Sequence, residues 1–157
     1  MLIQFQNYLT LENIYLWTNF GVLPFWFVLI IIPNSKITKL FVNSIILPLI
    51  LSITYVYVVY LAILSDESML DIFKLYLGLD NLYTIFATEN FLLVFWIHFL
   101  VLNLFLGSWV SRDGIKYNMP RNLVAIPLII IYFSGPLGLV LYWLLRVFYA
   151  KRLGLHD

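Results

Sequence analysis

Apolar residues fall into four long runs along the chain, separated by short polar connectors. The runs cover residues 14–32, 45–64, 91–110 and 123–147. Because about 20 residues of helix cross the roughly 30 Å hydrocarbon core of a bilayer, each run is long enough for a membrane span. The pattern predicts an all-α, polytopic membrane bundle of about four transmembrane helices, formed by residues 1–157 as a single domain.

One segment between the second and third runs has a different pattern. Over residues 67–87, apolar positions recur on one side of a helix, while Asp71, Lys74 and Asp80 interrupt the sequence. Each of these charges would cost a few kcal/mol at the bilayer centre. The segment is therefore predicted to be an interfacial amphipathic helix that lies on the bundle.

The last apolar segment leaves two arrangements open. Residues 123–150 are too long for one upright span and are interrupted by Ser134, Gly135, Pro136 and Gly138. They form either one kinked, tilted helix with Arg146 snorkelling to the interface, or two half-helices in a re-entrant hairpin. The hairpin places eight of the nine basic residues on one side, but four spans are favoured because the first helix usually dominates orientation.

Composition narrows the class of protein further. The chain is 63% hydrophobic and 11% charged, which is typical of membrane proteins. It has no cysteine, which excludes disulfides and thiolate metal sites, and a net charge of +1 gives no basic patch for nucleic acid. No basic residue precedes the first apolar run, so that helix is expected to remain in the protein rather than be cleaved as a signal.

The third run contains the candidate chemistry, since His98 and Asn103 lie at membrane depth. Polar side chains there are functional candidates unless a neighbouring helix satisfies them. His98 is either a structural histidine with one interhelical hydrogen bond, to a group such as Asn19, Thr54 or Ser134, or an acid–base group. Along the helix, Glu89 is about 13 Å and Asp113 about 22 Å from His98, so neither can orient it as in a catalytic triad.

Two further features predict a site for a long apolar ligand between the third run and the FSGPLG segment. Trp96, Phe99 and Phe105 lie inside the third run rather than at its ends, and Gly107 lets another backbone approach the face of Asn103. The break in the last run supplies the other wall, because irregular backbone at membrane depth is tolerated only beside protein or a cavity. Its predicted ligand-binding residues are Ser134, Gly135 and Pro136.

Several motifs resemble a known family. Trp96, His98, Gly107, Trp109 and Asp113 are similar in type and spacing to the central signature of the abscisic-acid-deficient-four-like integral membrane proteins of plants and cyanobacteria. The segments FWFVLIIIPN and FSGPLGLVLYWLLR resemble the end of the first and the last helix of that family. The resemblance extends over about residues 14–147 and implies four spans.

The resemblance also implies a substrate class. Family members are tied to formation of neoxanthin from violaxanthin, in which a carotenoid epoxide opens to an allene without a redox cofactor. His98 would act as acid or base, whereas Asn103 stands where the family is expected to have an aspartate and can only hydrogen-bond. The expected ligand and partners are thus a carotenoid and the lipid bilayer of a cyanobacterial or plastid thylakoid membrane.

Two functions remain open from the sequence. One is an enzyme that isomerises xanthophyll epoxides. The other is a non-catalytic pigment-binding or structural subunit of a photosystem or another photosynthetic membrane complex, with other subunits of that complex as partners.

Overall fold

The computed structural model describes residues 9–42, 44, 46–64 and 71–151, and the regular structure within them is helical. The predicted helical membrane bundle is confirmed for this part of the chain. The N-terminal residues, the first part of the acidic segment, Arg152 and His156 lie outside the described residues. The helices are α1 (Leu11–Ile31), α2 (Ile46–Leu64), α3 (Asp71–Lys74), α4 (Leu79–Phe86), α5 (Glu89–Lys116), α6 (Arg121–Phe133) and α7 (Gly135–Ala150), with a short π-helical segment at Thr38–Val42.

Three helices, α1, α2 and α5, are long and apolar enough to cross a membrane. They contain 21, 19 and 28 residues, and their positions agree with the first three predicted spans to within a few residues, apart from the C-terminal extension of α5. That helix continues past Val110 to Lys116, because no residue after the apolar run breaks it. At the end of α1, the Ile32 carbonyl accepts hydrogen bonds from the Ser35 amide at 3.0 Å and from the Thr38 hydroxyl at 2.6 Å, which satisfies an acceptor past the last helical turn.

The predicted amphipathic helix is two short helices over its described part. α3 and α4 pack against each other and are separated by a turn that includes Gly78, whose φ of +151° is rare for residues with a side chain. No residue of α4 is buried, and Leu79 and Tyr83 are 79% and 78% exposed. Such an apolar surface suits the membrane interface, whereas residues 67–70 of the prediction lie outside the described residues.

The chain divides into two compact units, each of which is described by itself. The first consists of residues 1–21 and 49–99, and the second of residues 22–48 and 100–157. The buried side chains of the first unit come from α1, α2 and α5, and include Ile14, Val58 and Ile97. Its buried polar group, Thr18, donates its hydroxyl to the Ile14 carbonyl at 2.8 Å and therefore needs no partner on another helix.

In the second unit the chain reverses its direction at Ser134. This residue is extended, with φ −151° and ψ 90°, and separates the 13 residues of α6 from the 16 of α7. Gly138 in α7 lies directly on α6: a methyl group added there would contact the Ile131 side chain and lie 2.5 Å from the Ile131 amide nitrogen. The same methyl group would lie 2.8 Å from the Pro127 carbonyl oxygen, eleven residues back along the chain. A continuous straight helix would hold these two residues about 16 Å apart, so their contact requires the chain to turn back.

Contacts with α5 fix the direction of both arms. On α6, Val124 packs on Gly114, while Tyr132 packs on Trp26, which in turn covers Gly107. α6 therefore runs antiparallel to α5. On α7, Gly135 abuts Asn103, and Arg146 reaches Asp113 and Tyr117, so α7 runs parallel to α5.

The last apolar segment is thus a helical hairpin rather than the single continuous helix that the favoured four-span arrangement assumed. Its arms are about 20 and 24 Å long at 1.5 Å per residue, which is shorter than the hydrocarbon core. Arg146, which was expected to snorkel if the segment were one tilted helix, is instead 0% exposed. Of the two arrangements that the sequence left open, the structure has the two half-helices, and they form a hairpin.

This arrangement predicts that positions 34 and 151 lie on the same side of the membrane, with position 80 on the other. The chain has no cysteine, so Asn34→Cys, Asp80→Cys and Lys151→Cys each introduce one thiol, and all three positions are exposed. In sealed vesicles, an impermeant maleimide should label positions 34 and 151 from one side and position 80 from the other. Labelling of 151 together with 80 would show four crossings instead of three and a hairpin.

Candidate functional site

In the first unit, Trp96 is part of the packing between α1 and α5. Its indole nitrogen donates a 2.9 Å hydrogen bond to Asn19 Oδ1, and its ring stacks on Phe99 at 5.3 Å between ring centres. The ring of Tyr15 lies 6.2 Å away. Asn19 also donates its Nδ2 to the Tyr15 carbonyl at 2.8 Å. Trp96 and Phe99, both predicted to line the ligand site, therefore belong to an aromatic and polar cluster that joins two helices.

His98 lies next to this cluster in sequence but points away from it. It is exposed, and its ring packs at 6.1 Å from that of Tyr55 on α2. Among the described residues it forms no hydrogen bond, so the predicted interhelical bond is absent. Asn19 accepts from Trp96 instead, and Thr54 donates to the Ile50 carbonyl at 3.2 Å. An imidazole on the outer surface of an apolar helix is available to a ligand or partner, whereas a structural histidine would be bonded within the bundle.

In the second unit, Asn103 meets the tip of the hairpin. The side chain is 6% exposed, and its Oδ1 approaches Gly135 so closely that a methyl group added at this glycine would overlap it. Asn103 Nδ2 is buried without a hydrogen-bond partner among the described residues. The structure thus brings Asn103, Ser134 and Gly135 together, three residues that the sequence placed in a site.

The start of α7 supports a polar role for this tip. Ser134 precedes the helix without a side-chain capping bond, and Pro136 follows in the first turn, a common position for proline. The first turn of a helix carries unpaired backbone N–H groups and the positive end of the helix dipole. A ligand oxygen that accepts hydrogen bonds would satisfy both this end and the Asn103 amide. Pro136 itself is exposed and forms the outer edge of the tip.

Gly107 has a packing role rather than a ligand-binding one. A methyl group added here would lie 2.6 Å from the Trp26 ring, and Leu29 is also in contact. The glycine therefore lets α1 and α5 approach closely within the second unit, as small residues do in membrane helix pairs. Its predicted place among the ligand-binding residues is not supported by these contacts.

An apolar groove runs along α5 and α7 in the second unit. Its volume is about 560 Å³, within the range of small-molecule sites, and every side chain that lines it is apolar or aromatic. Of the predicted ligand-binding residues, Phe105 lines this groove and is 54% exposed. The full lining is Phe105, Leu106, Trp109, Leu139, Val140, Trp143 and Leu144.

A buried ionic cluster joins α5 to α7 and was missed by sequence reasoning. Asp113 Oδ2 accepts 2.7 Å hydrogen bonds from both Arg146 Nε and the Tyr142 hydroxyl. Arg146 Nη2 also donates to the Tyr117 hydroxyl at 3.2 Å, and Trp143 packs on the guanidinium at 5.2 Å. The side chains of Arg146 and Asp113 are 0% and 7% exposed. The sequence did contain a signal for this pair: Arg146 stands inside an apolar helix, and Asp113 stands near the end of another.

The ionic cluster leaves the second unit without a free carboxylate among its described residues that could act as an acid or a base. Among the described residues of the second unit, Asp113 has the only side-chain carboxylate, and it accepts hydrogen bonds from both Arg146 and Tyr142. No group of three His, Cys, Asp or Glu side chains that could hold a metal ion occurs in the described part of the chain. The unit therefore offers an apolar groove and a polar tip that can hydrogen-bond a ligand.

Sequence comparisons relate the chain to one known protein family. The chain is similar to Protein ABA DEFICIENT 4, chloroplastic, of Arabidopsis thaliana, with 28% identity over 129 residues. The match includes 80% of this chain but 57% of that protein, so the chain spans less than two thirds of the relative's length. No solved structure matches. The family model described as ABA DEFICIENT 4-like matches residues 13–142, which extend from α1 into α7 and include His98, Asn103 and the hairpin tip. The chain therefore belongs to the ABA DEFICIENT 4-like family.

Proposed function

We propose that this protein binds a xanthophyll in a photosynthetic membrane, with the polyene chain in the groove between α5 and α7. The observation that carries the proposal is the groove itself. Aromatic side chains from both helices line it, among them Phe105, Trp109 and Trp143, and they offer flat, polarisable surfaces to a conjugated chain. The resemblance to proteins tied to neoxanthin formation supports a xanthophyll, and the chloroplastic relative supports a plastid membrane as the location.

The oxygenated end ring of the xanthophyll is expected to lie at the hairpin tip. Asn103 Nδ2 is a buried donor without a partner, which costs about 1–3 kcal/mol unless a ligand acceptor satisfies it. A ring hydroxyl or an epoxide oxygen is such an acceptor. The tip lies within one helical turn of Leu139, the first α7 residue in the groove, so polar and apolar parts of one ligand have adjacent places.

Binding without turnover is the function that the geometry of the second unit supports best. Opening an epoxide to an allene needs one group that protonates the oxygen and another that removes a proton. Asn103 cannot ionise, and the Asp113 carboxylate is occupied by Arg146 and Tyr142. This favours a pigment-binding protein or a subunit of a photosynthetic complex.

Catalysis is the second candidate, and the exposed His98 favours it. An imidazole that has no hydrogen bond among the described residues and lies beside Tyr55 can act as acid or base toward a ligand on that surface. The two candidates differ in their products. Expression in a host that makes violaxanthin, followed by pigment analysis of whole cells, detects an allenic isomer only if turnover occurs.

Purification in a mild detergent from a carotenoid-producing host should yield coloured protein. Phe105→Ala removes one wall of the groove and Val140→Trp fills it, so both variants should retain several-fold less pigment than the parent. Phe148→Ala is the matched control, because Phe148 is a 78% exposed aromatic residue of α7 that does not line the groove. Absorption spectroscopy and pigment extraction give the amounts. A parent protein that is folded and monodisperse but colourless would refute the proposal, and equal loss in all three variants would place the pigment elsewhere.

A further inference from the structure

A second cavity of about 560 Å³ lies in the second unit, apart from the groove. Its walls come from the end of α1, the end of α5 and the start of α6, and their apolar part includes Leu29, Val124 and Leu128. Asn34, Asn118 and Arg121, all exposed, stand at its mouth. The cavity is therefore amphipathic, with an apolar interior and a polar entrance.

Ser111 gives this cavity a polar group inside. The residue is 1% exposed, lines the cavity and has a hydroxyl without a hydrogen-bond partner among the described residues. It lies five residues before Lys116, the last residue of α5, or about 7.5 Å from that end of the helix. Since an unsatisfied buried hydroxyl is costly, a ligand with an acceptor at this depth would be stabilised.

The mouth of the cavity favours negative charge. Arg121 is the first residue of α6, whose N-cap, Pro120, forms no side-chain capping bond. The positive end of the helix dipole and a guanidinium therefore meet at one place. Arg121 has no ion pair within the described residues, and no acidic residue lines the cavity. The exposed Arg112 and Lys116 on the last turns of α5 add basic surface nearby.

We propose that this cavity binds one anionic membrane lipid. Its phosphate or sulfonate lies at Arg121 and the start of α6, and an ester carbonyl accepts a hydrogen bond from Ser111. An acyl chain fills the apolar space between Leu29 and Leu128. Basic pockets between membrane helices are typical sites for acidic lipid headgroups. A purely apolar ligand would leave Ser111 unsatisfied, and a free phosphate ion would leave the apolar walls empty. The proposal does not depend on pigment binding.

The test uses the full chain, purified in a mild detergent, stripped of lipid by detergent exchange and titrated with palmitoyl-oleoyl phosphatidylglycerol or phosphatidylcholine. Native mass spectrometry should show one phosphatidylglycerol retained in preference to phosphatidylcholine by about fivefold, since one basic side chain near a membrane surface contributes about 1 kcal/mol. Arg121→Gln should remove this preference. Ser111→Ala should lower retention of both lipids several-fold, because the ester carbonyl is common to them.

Arg112→Gln is the matched control, since it removes the same charge from the same basic surface without touching the cavity. It should retain the parent's preference. Equal effects of Arg121→Gln and Arg112→Gln would overturn the proposal in favour of a diffuse basic surface. Displacement of the lipid by 10 mM inorganic phosphate would overturn it in favour of a free-anion site. Arg121 is exposed, so its variant is expected to fold like the parent.

Discussion

Asp113→Asn is expected to lower the free energy of unfolding by about 3–5 kcal/mol, because it leaves the buried Arg146 guanidinium without its counter-charge. Asp113 Oδ2 accepts from both Arg146 and Tyr142, and the arginine is 0% exposed. For a chain of this size the loss corresponds to a fall in melting temperature on the order of 10 °C. Thermal unfolding in detergent, followed by intrinsic tryptophan fluorescence, measures it.

The double variant Asp113→Leu with Arg146→Met provides the decisive comparison. Replacing both partners of a buried ion pair by apolar groups is often neutral or stabilising, so this variant should recover most of the lost stability. Arg112→Gln, at an exposed position next to Asp113, should change the melting temperature little. If Asp113→Asn unfolds at the same temperature as the parent, then Arg146 is not held by this pair.

Gly138→Ala is expected to destabilise the hairpin by about 1–3 kcal/mol, although alanine is the better helix former. The added methyl group would lie 2.5 Å from the Ile131 amide nitrogen and 2.8 Å from the Pro127 carbonyl oxygen. These are backbone atoms, which cannot rotate away as the end of a side chain can, so α6 and α7 must separate. The same unfolding experiment measures the effect, and larger residues at 138 should increase it.

Gly21→Ala is the matched control for this prediction. Gly21 also lies inside a helix, but apart from its own helical backbone and chain neighbours no atom comes within 4 Å of a methyl group added there. Alanine should therefore stabilise α1 by up to about 1 kcal/mol. If Gly138→Ala lowers the free energy of unfolding and Gly21→Ala raises it, the loss at Gly138 is due to close packing and not to helix propensity. A stabilising Gly138→Ala would show that the arms of the hairpin do not meet at this residue.

The sequence predicted the three long helices because hydropathy over about 20 residues decides them with little help from tertiary contacts. It also located the break at Ser134, Gly135 and Pro136. The direction of the chain after this break could not be predicted in the same way. Whether the chain continues or turns back depends on close contacts such as that of Gly138 with Pro127. Such contacts cannot be read from hydropathy or composition.

The sequence predicted only part of the candidate site, because tertiary contacts decide which side chains meet. Membrane depth singled out both His98 and Asn103, but a helical periodicity does not state which face meets a neighbour. The structure buries Asn103 against Gly135 and exposes His98 beside Tyr55. Pairing of Asp113 with Arg146 spans 33 residues, and it becomes visible only when α7 lies parallel to α5.

The reversal at Ser134 also affects how the protein enters the membrane during synthesis. A fourth crossing would carry Lys151 to the opposite side of the membrane, and Arg146 would have to enter the hydrocarbon, where such a residue costs about 2.5–3.5 kcal/mol at a helix centre. A hairpin that dips in and returns needs neither step. Arg146 can meet Asp113 at the end of α5 as the second arm folds back. The last two helices can thus insert as a pair from the side on which α5 ends, after the three long helices are in place.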